Sequence, residues 1–356
     1  MNAVEKIRQK LPDTHTAAVV TTPHNRRYLT GFPSSAGMVI ITPQSAVFMT
    51  DSRYAEAAGK AIRDMEVECY SRPTESLSAY LKAQDIRTLL VESERSVSSV
   101  RALRAALPEL TVEDDDRLTD WLSALRMCKT PQERDAMARA QALTDAGYQY
   151  ILGRIAAGRT EREVALDLEF FIRRQGAEGV AFEFIAVSGT NSSLPHGVPG
   201  DRVIEKGDFV TMDFGARVDG YCSDMTRTVA VGSVSDRQRE VYDTVLRAQL
   251  AGLAAVGPGV PCRAADAAAR NVITEAGYGK YFGHGTGHGV GVQIHEQPNL
   301  SPSTPETTLL APGHVVTVEP GIYLPGEFGV RIEDMVIITE TGCDNFTKSP
   351  KELQIL

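Results

Sequence analysis

The chain lacks a Cys-x-x-Cys pair, a basic surplus and any bilayer-length apolar run, and each shortage removes a class of function. Its five cysteines, Cys69, Cys128, Cys222, Cys262 and Cys343, are odd in number and scattered. They offer neither a zinc-finger spacing nor a disulfide framework and suit a reducing compartment. A formal net charge of -9 at pH 7 argues against a polyanion partner, because nucleic-acid binding leans on a basic surface. The polar start MNAVEKIRQKLPDTHT has no signal-peptide core, and no later run is long and apolar enough to cross a membrane. These absences predict a cytoplasmic protein that binds neither nucleic acid nor membrane and acts on small or peptide substrates.

What is present points to two domains. A length of 356 residues exceeds the size at which one core usually keeps growing. The 42% apolar and 23% charged content is that of an ordinary globular chain. Up to about Leu125, strand-like runs (AAVVTT, GMVIIT, SAVFMTD, EVECYS, TLLVES) alternate with helical patterns (VEKIRQKL, SRYAEAAGKAIRD, TESLSAYLKAQ, SVRALRAAL), which predicts a layered α/β domain. Within it, NRRYLTGF at Asn25 to Phe32 and TDSRY at Thr50 to Tyr54 read as polar turns at strand ends. His24 reads as a turn histidine and Asp114 to Asp116 as a solvated loop. Near Pro131 a long helix begins, with Thr130 and Glu133 spaced as a capping box. That start sets the expected boundary between residues 1–126 and 127–356.

The second domain contains itself twice. A long helix, a second helix, a histidine region and an acidic hairpin follow one another first through His196, Asp213 and Asp224. The same order returns through the histidine cluster, Glu319 and Glu333. A duplicated domain with pseudo-twofold symmetry follows, its two hairpins facing each other across one cleft. The cluster itself, YFGHGTGHGVGVQIHEQP from Tyr281 to Pro298, sets His284, His288 and His295 among five glycines. It reads as a tight turn presenting imidazoles.

Asp213 and Asp224 lie in VTMDFGARVDGYCSDMTRTVAV, and Glu319 and Glu333 in VVTVEPGIYLPGEFGVRIEDMVIIT. Carboxylates inside apolar strands are costly to bury unless paired or bound to a metal. Four of them with His288 form a mainly oxygen ligand set that matches Mn²⁺, Co²⁺ or Zn²⁺ in an open site. The set is larger than one ion needs, so two ions sharing carboxylates is the economical reading. Such a pair activates water and polarises a carbonyl, which is machinery for hydrolysis.

These motifs, with GHGVG around His288, HEQP at His295, VEPGIY at Glu319 and VRIED at Glu333, resemble the pita-bread metallopeptidases, family M24. That group includes methionine aminopeptidase, aminopeptidase P and prolidase. YLTGF and TDSRY resemble the creatinase/prolidase N-terminal domain, so the resemblance covers nearly the whole chain. It implies a creatinase-like α/β domain followed by a pita-bread catalytic domain. It also implies Asp213 as a terminal ligand of one metal, Asp224 and Glu333 as bridges, and His288 and Glu319 as ligands completing the second, with Glu319 also handling the proton of the attacking water. By the same resemblance His196 contacts the scissile amide or leaving nitrogen, and His295 steadies the tetrahedral intermediate. His284 is an added substrate-pocket histidine. Arg331 orients Glu333 or meets a substrate carboxylate; a plain strand salt bridge is the alternative. All ligand positions are filled, unlike in creatinase-like members, and the first domain sets the chain apart from methionine aminopeptidases.

The resulting expectation is a dinuclear-metal peptidase cutting Xaa-Pro bonds, a dipeptidase (prolidase) first and an aminopeptidase P second. A non-catalytic binding protein on the same fold is the remote alternative. Because proline has no N–H and a fixed φ, its ring needs an apolar pocket, for which Phe182 and Tyr323 are candidates, with core packing as their other role. The resemblance also implies a homodimer.

Overall fold

The apolar runs of the N-terminal third all become strands in the computed structural model, which describes residues 2–356. The chain divides into two units, Met1–Arg126 and Met127–Leu356. In the first, chain order is α1 (Ala3–Arg8), β1 (Thr16–Val20), α2 (Pro23–Thr30), β2 (Met38–Ile41), β3 (Ala46–Thr50), α3 (Ala55–Ala61), β4 (Glu66–Cys69), α4 (Pro73–Ala83), β5 (Thr88–Val91), α5 (Val97–Ala106), β6 (Thr111–Glu113) and α6 (Arg117–Met127). The strands form one sheet in the order β4-β3-β2-β1-β5-β6. Its pairs are antiparallel at β1–β2 and β2–β3 and parallel elsewhere. Every residue of β1 is buried: Ala17 and Val19 enter one apolar cluster, Ala18 and Val20 another. A central strand covered on both faces has to read as a continuous apolar run, as AAVV does.

Two local readings change here. The stretch at Asn25 is helical: α2 starts with Pro23 in its first turn, where the missing N–H costs nothing, and ends at Gly31 with φ 66. His24 therefore sits on a helix, 3.4 Å from Glu94. The strand β6 and the helix α6 were also not visible as periodic runs, β6 because it is only three residues long.

The second unit runs through α7 (Pro131–Leu152), α8 (Glu161–Arg174), β7 (Gly179–Val180), β8 (Ile185–Ser188), β9 (Phe209–Phe214), β10 (Ala216–Val218), β11 (Tyr221–Cys222) and β12 (Met225–Ala230). It continues with α9 (Asp236–Ala255), α10 (Cys262–Glu275), β13 (Gly287–Gly289), β14 (Glu296–Leu300), β15 (Val315–Val318), β16 (Gly321–Leu324), β17 (Phe328–Arg331), β18 (Asp334–Ile338) and β19 (Cys343–Asn345). Each half opens on a long helix with a capping box, Thr130 with Glu133 in α7 and Ser235 with Gln238 in α9. Each then supplies a second helix and an antiparallel strand pair, β9–β12 or β15–β18, that encloses a shorter hairpin, β10–β11 or β16–β17. The expected duplication is thus present element by element.

Candidate metal centre and active site

The acids occupy equivalent corners of the two halves. Asp213 lies near the end of β9 and faces Thr226 across the ladder, with Asp224 just before β12. Glu319 directly follows β15 and Glu333 directly precedes β18. His288 lies at the centre of β13, not on a tight turn. The surrounding glycines have a different use from the one expected. None of Gly283, Gly285, Gly287, Gly289 or Gly291 has positive φ. A Cβ at Gly287 would lie 2.0 Å from the Thr317 carbonyl oxygen, and one at Gly289 would lie 2.3 Å from that of Gln297. Glycine here lets β13 fit between its neighbours and carry one imidazole inward.

Ligand atoms of Asp224, His288 and Glu333 lie within 4.8 Å of one another. His288 Nδ1 contacts the Gly289 carbonyl oxygen at 3.0 Å. Assigning the proton there turns Nε2 toward the acids, 3.3 Å from Glu319 Oε1 and 3.5 Å from Asp224 Oδ2. Asp213 joins through Arg331, whose Nη2 donates to Asp213 Oδ2 at 2.7 Å, while the buried Asp213 Oδ1 has no hydrogen-bond partner.

Crowding of like charge shows in the ionisation of the metal-free cluster. Burial and then the charge of Glu333 push Asp224 well above the usual carboxylate range. Burial and then Glu319 do the same to Glu333. Asp213 is raised by burial, an effect the Arg331 guanidinium opposes. Burial also works against ionising Glu319, but the hydrogen bond and charge of His288 hold it down at about 2. Acids held this close, with one acceptor unsatisfied, fit a divalent cation.

The supporting residues were not apparent in the sequence. Thr226 Oγ1 donates to Glu333 Oε2 at 2.7 Å, and Thr317 Oγ1 donates to Glu319 Oε1 at 3.2 Å. Behind Glu333, the fully buried Arg227 joins the Glu333 carbonyl oxygen at 2.5 Å and Asp334 at 2.8 Å. The one available signal was chemical: a buried acid on a strand needs donors, and a threonine stands two residues before Glu319 and two after Asp224.

Around the acids opens a cavity of about 770 Å³, lined by Phe182, His196, His284, His295 and all five proposed ligands, among others. His196 and His295 are exposed at its wall, and the His295 ring stands edge to face on His288, centroids 4.3 Å apart. Phe182 meets Phe184 edge-on at 6.4 Å. Tyr323 is not among the lining residues. Its hydroxyl accepts from Arg331 Nη1 at 2.8 Å and contacts His284 Nε2 at 2.9 Å, so it braces the wall from behind. Arg331 reaches Asp213 directly and Glu333 only through Thr226, to which its Nε donates at 3.0 Å. With Nη1 also donating to the Pro195 carbonyl oxygen, its fork is occupied by protein acceptors.

Residues 135–340 match metallopeptidase family M24, and residues 4–128 match the creatinase/prolidase N-terminal domain. An Xaa-Pro dipeptidase from Bacillus anthracis superposes with a TM-score of 0.95 at 43% identity, covering 99% of each chain. The Xaa-Pro dipeptidase of Pyrococcus horikoshii is 36% identical over 95% of this chain and 94% of its own. An X-Pro aminopeptidase from Thermotoga maritima superposes with a TM-score of 0.90 at 35% identity over 99% of this chain and 100% of its own. Sequence, architecture and the acid cluster agree: this chain belongs to metallopeptidase family M24 and is a hydrolase with a creatinase/prolidase N-terminal domain.

Proposed function

We propose that the protein is a prolidase-type peptidase that hydrolyses the bond before proline, using two divalent ions, Mn²⁺, Co²⁺ or Zn²⁺, held by Asp213, Asp224, His288, Glu319 and Glu333. The observation that carries this reading is the convergence of buried acids around one imidazole nitrogen, with Asp213 Oδ1 unpartnered. Bound there, divalent cations supply Lewis-acid polarisation of the scissile carbonyl and a water of lowered pKa. Glu319, kept ionised, accepts the proton of the attacking water and delivers it to the departing proline nitrogen. His295 donates to the carbonyl oxygen as it gains charge, and His196 holds the scissile amide. The substrate's free α-amino group lies toward the acid cluster, and Phe182 flanks the apolar part of the bound peptide. His284, half of a pair with Tyr323, closes the wall. Arg331 is a positioning residue for Asp213.

Dipeptidase activity is the first reading, supported by the B. anthracis and P. horikoshii relatives. Aminopeptidase activity is the second, supported by the T. maritima structure. Five free cysteines are in keeping with residence in the cytoplasm, and no helix among the described residues is long and apolar enough to cross a membrane. A homodimer remains part of the proposal, tested by sedimentation. The deciding experiment measures release of proline from Leu-Pro, and of the first residue from Leu-Pro-Gly, by protein loaded with Mn²⁺, Co²⁺ or Zn²⁺. Hydrolysis of neither peptide with any of the ions would refute the Xaa-Pro reading.

A further inference from the structure

Two kinds of wall line the cavity. Residues 182–185 and 195–199 contribute Phe182, Phe184, Ile185, Pro195 and Val198, with Glu183 as an acid among them. The other wall comes from β14 and the segment after it, and it is neutral and hydrogen-bonding: Gln297, Asn299, Ser301, Ser303, Thr304 and Thr308. In β14 burial alternates, with Pro298 and Leu300 buried and Gln297 and Asn299 exposed. The strand therefore presents one row of side chains, Gln297, Asn299 and Ser301, to the cavity. It also forms the edge of its sheet.

The two amides are unspent. Neither the Gln297 nor the Asn299 side chain hydrogen-bonds to another described residue; it is the Asn299 main-chain carbonyl oxygen that accepts from Thr304 Oγ1, at 2.9 Å. The only Lys or Arg among the lining residues is Arg331. It is 3% exposed and committed to Asp213, Tyr323, Thr226 and Pro195.

A dipeptide ends in a free carboxylate directly after proline. In this cavity that anion would find no available guanidinium or ammonium to pair with, because the one cationic side chain of the lining is already taken up by protein acceptors. A peptide that continues past proline presents an amide there instead, with a C=O and an N–H that match carboxamides and hydroxyls. We infer that the Gln297–Asn299–Ser301 row is a binding subsite for the peptide chain beyond proline, so that the preferred substrates are Xaa-Pro peptides extended by at least one residue. This rests on the Xaa-Pro reading above and, of its two forms, favours the aminopeptidase over the dipeptidase.

The test compares kcat/KM of the Mn²⁺-loaded full chain on Leu-Pro, Leu-Pro-amide and Leu-Pro-Gly-Gly. The expected order places the amide and the tetrapeptide above the dipeptide, by roughly three- to tenfold for one or two neutral hydrogen bonds. Asn299→Arg adds a cation to the row and is expected to shift the ratio toward Leu-Pro. Gln297→Met removes an amide and is expected to lower the ratio of tetrapeptide to dipeptide turnover; it serves also if the arginine variant does not fold. If wild type favours Leu-Pro and neither variant moves the ratio, the subsite is overturned while Xaa-Pro cleavage stands. Failure to cut any of the three would instead overturn the underlying reading.

Discussion

Asp224 and Glu333 show most directly how the site trades stability for chemistry. Each is almost fully buried, at 4% and 1% exposure, and each is pushed toward its protonated form by burial and by the neighbouring acids. Replacing one with a neutral isostere removes the cost of burying that charge or of neutralising it in the metal-free protein. Asp224→Asn and Glu333→Gln are therefore expected to raise the melting temperature in chelator while abolishing peptidase activity. A variant that kept wild-type turnover would remove that residue from the ligand set. His295 is different, because it stands at the exposed wall with its ring edge to face on that of His288. His295→Ala should leave metal stoichiometry unchanged and lower kcat by roughly 10²-fold, the size expected for losing one donor to a developing oxyanion. Metal analysis beside steady-state kinetics separates the two classes.

Beyond the single residue, the elements that carry the histidines are fastened from behind. Glu296 begins β14 immediately after His295, and its carboxylate accepts from the Gln293 N–H at 3.1 Å and meets Lys129 Nζ at 3.5 Å. The two ion-pair side chains are 2% and 1% exposed. Lys129, just ahead of α7, also donates its own N–H to the Gly313 carbonyl oxygen, next to His314. Lys129→Met leaves Glu296 buried without its ammonium, and removing one partner of such a pair typically costs about 3–5 kcal/mol. The expected result is a lower melting temperature together with a fall in kcat, since the strand that follows His295 loses its anchor. His314 gives the same region a pH response. Burial first, then Lys129, lower its pKa from 6.5 to about 4. With the folded value below the unfolded one, its contribution is complete above pH 6.5 and is lost as pH falls toward 4, a total of roughly 3 kcal/mol. Melting temperatures of wild type and His314→Gln, measured in chelator between pH 7 and 4.5, should converge as pH falls. Parallel curves would show that His314 is protonated as readily in the folded chain as in the unfolded one.

For the whole molecule, legibility in sequence followed the range of the contacts. Alternating apolar runs announced the first unit's sheet because each strand is a local pattern. The duplicated order of helices and hairpins announced the second. Asp213, Asp224, Glu319 and Glu333 stood out because an acid in a β-branched run has a local cost. Arg331–Asp213 and Lys129–Glu296 were illegible because they join residues 118 and 167 positions apart. Strand register, which no short window reports, brings them together. The helix at Asn25 was hidden for another reason: its eight residues have a polar face that reads as a turn until Pro23 is recognised as a helix start. The polar row along β14 was passed over because neutral side chains on an edge strand carry no cost that demands a partner.

The proposed metal centre also bears on the stability of the chain as a whole. The protein carries a net charge of -9, and its most crowded acids face one another inside the second unit instead of being spread over solvent. Any ion that binds the folded cluster and not the unfolded chain stabilises by mass action, about 2.7 kcal/mol at a hundredfold excess over Kd. Titrating Mn²⁺, Co²⁺ or Zn²⁺ into chelator-stripped protein should therefore raise the melting temperature progressively, and chelator should reverse the rise. The gain should be largest near neutral pH and shrink in acid, because protons compete for the same oxygens. In Asp224→Asn the rise should largely vanish, although that variant starts from the higher metal-free value. A metal-induced shift undiminished in Asp224→Asn would mean that the ions bind elsewhere, and the cluster would then have to be explained without them.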